Sequence, residues 1–338
     1  MRIGVIGAGA VGGAVAALLA RGGHEVEVTA RGEHLAAIRE RGIHLTGAWG
    51  EYTAVVDAGD LLTRAPELAI VATKAQDAVA AIRDNVALLR GIPIVVIQNG
   101  LGGIASTQAA APRSDVVGGL AMFATSYLSP GEITITTGGP IYLGGDTADD
   151  DVPARYALSV LAPVMDAKLV ANFVGAQWTK LVVNMVNALP AITGMSAQAV
   201  ITDRRLRRIL TSSIRETVRI GLASGVHFES LQGLSHGRLR LVATLPLWAG
   251  QVIPLLMRVR LGKVPNPGST LQSIRRGQRT EIDHLNGAVV TAAQAIGREA
   301  PVNAALVAMV HEVEESGVFL DPAEVVARIS GGAAFGPR

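Results

Sequence analysis

Residues 2–13, RIGVIGAGAVGG, constrain the fold of this chain more than any other stretch. RIGVIG (2–7) is an apolar, β-branched run that reads as a buried strand, and AVGGAVAALLARG after it reads as a helix. Between them, Gly7, Gly9 and Gly12 follow the G-x-G-x-x-G spacing. In a strand–loop–helix setting, such glycines permit a tight turn, let the backbone approach a pyrophosphate, and let helix pack closely on strand. The loop Gly7, Ala8, Gly9, Ala10, Val11 and Gly12 is therefore the expected cradle, with the phosphates at the helix N-terminus. A glycine-rich turn that holds no ligand is the plain alternative.

The alternation continues. HEVEVTA (24–30), LAIVAT (68–73) and IPIVVIQ (92–98) read as further strands. RGEHLAAIRERG, with Gly42 past its last turn, and DAVAAIRDNVALLRG read as helices. Near-continuous apolar strands alternating with helices predict an α/β fold with a parallel sheet covered on both faces. Residues 114–145 change style, and their alternation and Pro-Gly turn suggest strands that extend the sheet, in antiparallel sense. After the helix VPARYALSVLAPVM and a short strand AKLVA (167–171), helices are expected over 174–200, 203–224, the 229–262 region, 270–297 and 301–316. The expectation is an N-terminal Rossmann-type dinucleotide-binding domain over 1–170 and an all-helical C-terminal domain over 171–330. A chain of 338 residues can bury two such cores.

The second strand points to the cofactor. NAD sites usually place Asp or Glu at its end for the ribose hydroxyls, whereas here Thr29, Ala30 and Arg31 occupy that place. An arginine suits a 2′-phosphate, so NADP(H) is favoured, although Glu33 follows two residues on. Lys74 after LAIVAT and Asn99 in IQNGLGG fall at the carboxyl ends of strands, where open sheets bind ligands. Either also suits an ordinary loop.

Composition removes other classes. Without cysteine there is no disulfide, thiolate nucleophile or cysteine-ligated metal. The histidines at 24, 34 and 44 lack metal-ligand spacing, so no metal is expected. A formal charge of +2 demands no polyanionic partner, and the arginine-rich 203–219 helix, capped by Asp203, reads as a solvated face without the aromatics of nucleic-acid binding. Trp178 and Trp248 read as core. The run 241–257 is uncharged but short of a bilayer span and holds Pro246, Gln251 and Pro254. It suits a buried segment or a subunit contact, which leaves a homodimer open. With no export signal and no membrane span, a cytoplasmic location is expected.

WTKLVVNMVNALPAITG (178–194) raises a separate question. Lys180, Asn184 and Asn187 fall within about 60° of one another on a helix, among apolar neighbours. A solvated stripe is the ordinary reading. A site needing one proton donor and two neutral hydrogen-bonding groups is the sharper one.

GAGAVGG at 7, KAQD at 74, QNGLG at 98, WTKLVVN at 178 and RRGQRTEIDHLNG at 275 together resemble the ketopantoate reductase family (2-dehydropantoate 2-reductases) over nearly the whole chain. The resemblance implies NADPH-dependent reduction of a 2-oxo acid, 2-dehydropantoate to pantoate, in pantothenate biosynthesis. It implies Lys180 as general acid, Glu281 as the catalytic carboxylate, and Asn184, Asn266 and Ser269 as substrate contacts, with Asn99 beside nicotinamide and substrate. Many members carry a second asparagine eight residues after the lysine, where this chain has Ala188. Asn187, at plus seven, is the expected substitute. The 229–268 segment is longer and more apolar than in shorter members, which opens an alternative: a bulkier 2-oxo acid on the same fold. A non-catalytic NADP-binding regulator is the rival from another class.

Overall fold

β1 (Arg2–Ile6) is buried from Ile3 onward and lies between two parallel neighbours, which makes it the centre of the N-terminal fold. The computed structural model describes residues 1–145, 152–262 and 265–331. They fall into two units, Met1–Phe173 and Val174–Arg338.

In the first unit β1 leads through α1 (Ala10–Arg21) to β2 (Glu25–Thr29) and α2 (Gly32–Arg41). Three short strands follow: β3 (Ile43–Gly47), β4 (Tyr52–Ala54) and β5 (Asp57–Gly59). Then come β6 (Leu68–Val71), α3 (Ala75–Asn85), β7 (Ile94–Ile97), α4 (Gly103–Ala110) and β8 (Val116–Ala121). The unit ends with β9 (Ala124–Ser129), β10 (Glu132–Thr137), β11 (Ile141–Gly144), α5 (Val152–Leu161) and β12 (Ala167–Leu169). The main sheet has the order β12-β11-β8-β7-β6-β1-β2-β5. It is parallel throughout except where β11 meets β8. Because the chain passes from β1 to β2 on one side and later to β6 on the other, the strand order reverses beside β1, where doubly wound sheets bind ligands.

The sequence reading of 114–145 needs correction. β8 and β11 extend the main sheet, but the β9–β10 hairpin does not. It joins β3 and β4, which the reading passed over, in a second sheet of order β4-β3-β10-β9. The cause lies in α1, apolar nearly all round and buried from Gly12 to Leu19. Such a helix needs cover on both sides. The main sheet covers one, and Ile133 and Ile135 of β10 face the other. The approach is close at Gly13, where a Cβ would come within 2.1 Å of Ile133 Cδ1.

The second unit is helical. It comprises α6 (Phe173–Asn184, starting at the boundary), α7 (Ala188–Thr193), α8 (Ala197–Thr202), α9 (Arg204–Ala223), α10 (His236–Thr244), α11 (Leu247–Gly250) and α12 (Val252–Leu261). After them come α13 (Gly268–Arg275), α14 (Asn286–Ala295), α15 (Pro301–Ser316) and α16 (Pro322–Gly331). Lys263 and Val264, within the apolar 229–268 segment, lie outside the described residues. α9 is the amphipathic spine: Asp203 caps it by accepting from the N–H groups of Arg205 and Leu206, and Leu206, Ile209, Leu210 and Ile214 are buried.

Two expected helices are interrupted. The 174–200 helix tightens into a 3₁₀ turn at Met185–Asn187 and stops at Gly194, whose φ of +69° only glycine adopts freely. The 270–297 helix breaks after Arg275 and resumes, past a 3₁₀ turn at Ile282–His284, at Asn286. Trp178 is buried as expected, but Trp248 is 77% exposed and not core. Among the described residues no helix is long and apolar enough to cross a membrane, and no cluster of three or more His, Asp or Glu side chains is placed to hold a metal ion.

Candidate active site

The three glycines of the loop do three separable things. Gly7 has φ +96° and lies so close to Thr73 that a Cβ would meet its Cγ2 at 2.6 Å. Gly12 faces the loop's own backbone, and a Cβ there would sit 1.9 Å from the Gly7 carbonyl oxygen. At Gly9, by contrast, a Cβ would meet nothing within 4 Å. Two glycines are thus required by the fold, and the third borders open space at the start of α1. That helix start has no side-chain cap and no acidic residue in its first turn, so its N–H groups and positive dipole end are left for an anion. Thr73 Oγ1, beside the loop, is buried without a hydrogen-bond partner among the described residues. These features fit a dinucleotide pyrophosphate.

The loop is braced from below. Gly7 N–H donates to Thr29 Oγ1 (2.9 Å) and Ala8 N–H to the Thr29 carbonyl (2.8 Å). His34 of α2 accepts from Gly131 N–H at Nδ1 (3.0 Å), which leaves Nε2–H to donate to the Ala8 carbonyl (2.7 Å). Sequence reasoning set His34 aside as one of three evenly spaced histidines. Only the β9–β10 turn, which supplies Gly131, makes it a strut.

Arg31, Lys74 and Asn99 follow the carboxyl ends of β2, β6 and β7; β2 and β6 flank β1, and β7 lies beside β6. Arg31 is exposed and its side chain makes no hydrogen bond or ion pair among the described residues, while Lys74 and Asn99 are half-buried. All the residues expected to hold the cofactor therefore gather along one sheet edge.

In the helical unit, Lys180 and Asn184 lie one turn apart on α6, and Asn187 ends the 3₁₀ turn that continues it. Because residues three apart eclipse in a 3₁₀ helix, that turn keeps Asn187 in line with Asn184. Lys180 is half-buried in relative area, yet burial of its ammonium pushes the pKa down to about 8, against the Glu281 charge, which raises it. Glu281, in the loop before the 3₁₀ turn at Ile282–His284, thus opposes the effect of burial on Lys180. Asn184 Nδ2 is buried with no hydrogen-bond partner among the described residues, an expensive arrangement unless something else accepts from it. Gly268 (φ +72°) lies against Asn187, where a Cβ would come 2.6 Å from Oδ1, and this brings the start of α13 beside the same turn. There Ser269 is exposed in the first turn of the helix. The Asn266 side-chain oxygen accepts locally from Gly268 N–H at 2.8 Å, which orients the amide and leaves its nitrogen as the donor for a ligand.

Two polar assemblies support these groups, and sequence reading missed both. The loop carrying Glu281 is clasped: Thr280 N–H donates to Glu314 (2.6 Å), and His311 bridges Glu314 (2.8 Å) and Asp283 (2.9 Å). Beneath the 3₁₀ turn, Glu216 of α9 accepts from the N–H groups of Val302 and Asn303, capping α15 from another helix. Asn303 Oδ1 in turn accepts from Ser213 Oγ and from Asn286 Nδ2, both at 2.8 Å. Asn286 also contacts Met185 Sδ at 3.5 Å. The only trace in the sequence is single polar residues within otherwise apolar helical faces.

A doubly wound sheet, a phosphate-type glycine loop at its switch point and a helical unit with a lysine–carboxylate pair define a Rossmann-type nicotinamide-dependent oxidoreductase. Family models agree: that for Ketopantoate reductase PanE/ApbA matches residues 3–146, and that for its C-terminal part matches 172–314. The chain belongs to the ketopantoate reductase family, whose members are oxidoreductases using NADP(H). It is 27% identical over 323 residues to 2-dehydropantoate 2-reductase of Pyrococcus horikoshii, covering 94% of this chain and 99% of that one. The crystal structure of a PanE/ApbA family ketopantoate reductase from Ralstonia eutropha JMP134 superposes with a TM-score of 0.78 at 25% identity, over 93% of this chain and 99% of the other. D-mandelate dehydrogenase in complex with NADH shares the fold, with a TM-score of 0.78 at 20% identity over 94% and 99% of the two chains.

Proposed function

We propose that the chain reduces 2-dehydropantoate to pantoate with NADPH, Lys180 serving as general acid. The observation that carries this reading is Lys180 on the mostly apolar α6, its ammonium brought to about 8 by burial against the charge of Glu281 from the loop after α13. A proton donor works best when its pKa lies near the working pH.

The reduced nicotinamide supplies hydride to the 2-keto carbon. As the carbonyl π bond breaks, its electron pair moves onto oxygen, and the Lys180 ammonium hydrogen-bonds that oxygen and stabilises the growing charge. Lys180 then transfers its proton there, giving the alcohol and a neutral amine that is recharged from solvent. Glu281 offsets part of the burial cost and keeps the ammonium protonated for each turnover. Asn184, through its unpartnered amide, orients the substrate without adding charge, and Asn187 takes the place of the family's second asparagine. Ser269 and the amide nitrogen of Asn266 are the candidates for the carboxylate end of the substrate, and Asn99 for the region beside the nicotinamide. Arg31, exposed and without a protein partner among the described residues, is assigned to the 2′-phosphate of NADPH; Lys74 is assigned to the same cofactor.

NADPH consumption with ketopantoate, beside a panel of branched and aromatic 2-oxo acids, tests the reading. Ketopantoate is expected to give the highest kcat/KM. If ketopantoate is inert while a bulkier acid turns over, the substrate assignment fails and the lysine chemistry stands. If the chain binds NADPH and turns over none of them, the 2-oxo acid reductase reading fails and the NADP-binding regulator becomes the leading alternative.

A further inference from the structure

Between α13, which ends at Arg275, and the 3₁₀ turn at Ile282–His284 the chain has no helix or strand, yet Glu281 sits there and its charge acts on Lys180. Local bonds shape the turn: the Glu281 carbonyl accepts from the N–H groups of His284 (2.9 Å) and Leu285 (3.1 Å), and Thr280 Oγ1 accepts from Ile282 N–H (3.2 Å). The polar attachment to a neighbouring helix comes from α15. Glu314, mostly buried, accepts from Thr280 N–H at 2.6 Å and from the Thr280 hydroxyl. Three residues earlier on the same helix, His311 reaches Glu314 with Nδ1 (2.8 Å) and Asp283 with Nε2 (2.9 Å). The residue before Glu281 and the residue two after it are thus tied to one ring. A ring that donates from both nitrogens is an imidazolium. Burial works against that charge, but the bonds and charges of Asp283 and Glu314 prevail and hold the His311 pKa above the ordinary histidine value. The bridge is charge-assisted at both ends.

We propose that His311 is a positioning residue for the proton donor: by fastening both flanks of the Glu281 loop to α15, it holds the Glu281 carboxylate where its charge reaches Lys180. This rests on the reading of Lys180 as general acid. The sign of the effect separates positioning from plain electrostatics. A cation acting through space alone disfavours a second cation, so its removal would make Lys180 easier to protonate. A cation that holds Glu281 in place does the reverse. Its removal frees the carboxylate to turn to solvent, and Lys180 becomes harder to protonate. A clasp that served only to pack α15 on the 3₁₀ turn would change the melting temperature and leave Lys180 alone.

The chain has four lysines, Lys74, Lys168, Lys180 and Lys263, so Lys180 can be titrated without any turnover. Peptide mass spectrometry follows the rate at which acetic anhydride acylates each lysine against pH, and the midpoint for Lys180 reads its protonation. His311→Phe keeps a ring and loses both bonds. It should move that midpoint to lower pH, by no more than Glu281→Gln does, and the alkaline limb of ketopantoate kcat/KM should move with it. His311→Gln, which can donate to one carboxylate, should fall between wild type and His311→Phe, and it carries the test if the phenylalanine variant does not fold. In a Glu281→Gln background His311→Phe should lower the midpoint no further. A midpoint that stays or rises in a folded His311→Phe protein overturns the proposal, and so does an equal fall in the Glu281→Gln background. If the wild type does not turn over ketopantoate, the substrate reading fails by itself, and the acylation midpoints still decide the role of His311.

Discussion

Glu281 raises the Lys180 pKa while burial lowers it, and burial prevails at about 8. The free pKa of lysine is 10.5, so the folded chain releases the Lys180 proton before the unfolded chain does. Between about pH 8 and 10.5 the unfolded state thus binds more protons, and the Lys180 contribution to stability rises with pH over that window. Below it the buried ammonium costs about 3 kcal/mol, from roughly 1.4 kcal/mol per pKa unit. Activity should run the other way. The kcat/KM should fall above pH 8 as the acid is lost, and Glu281→Gln, by removing the raising charge, should move that fall to lower pH. A pH profile of both proteins measures this, and an unmoved or upward-moved limb in the variant contradicts it.

Asn184 should trade function against stability. Its buried Nδ2 makes no bond within the described protein, so Asn184→Leu loses no internal hydrogen bond. Ketopantoate kcat/KM should drop roughly 10- to 100-fold, the worth of about 1.4–3 kcal/mol for a hydrogen bond to a charged group, while the melting temperature holds or rises. Steady-state kinetics and a thermal melt on one preparation decide it.

The glycine loop predicts a split between two similar substitutions. Gly12→Ala drives a Cβ into the Gly7 carbonyl and should cost about 3 kcal/mol or more of stability. Gly9→Ala meets no protein atom, so it should melt like wild type and yet bind NADPH more weakly. Calorimetry of folding and of NADPH binding separates the two. Equal melting losses would mean that Gly9 serves the fold and not a ligand.

Arg31→Ala tests the choice of cofactor. A lost charge-assisted contact to the 2′-phosphate should weaken NADPH roughly 10- to 100-fold and leave NADH nearly unchanged. Equal loss for both cofactors would take Arg31 away from the phosphate.

Local chemistry was legible in the sequence. The glycine loop, the main parallel strands, the Asp203 cap and the helical second half each depend on residues near in sequence. Pairings set by tertiary demand were not. β4 and β5 are three residues long, too short to show a period, and the second sheet exists because α1 needs cover on its far side. Periodicity put Lys180, Asn184 and Asn187 on one face, but nothing local could bring Glu281 to them from about a hundred residues away. That expectation came from the family resemblance. Trp248 misled because a large apolar side chain reads as core from its composition alone, whereas the fold leaves it exposed.

The central claim is the proton donor, and Lys180→Ala tests it most directly, with ketopantoate turnover and NADPH affinity measured on the same protein. A fall in kcat of roughly 10²- to 10⁴-fold with NADPH binding intact is the expected result. Turnover near the wild-type rate in a folded Lys180→Ala protein would contradict the account.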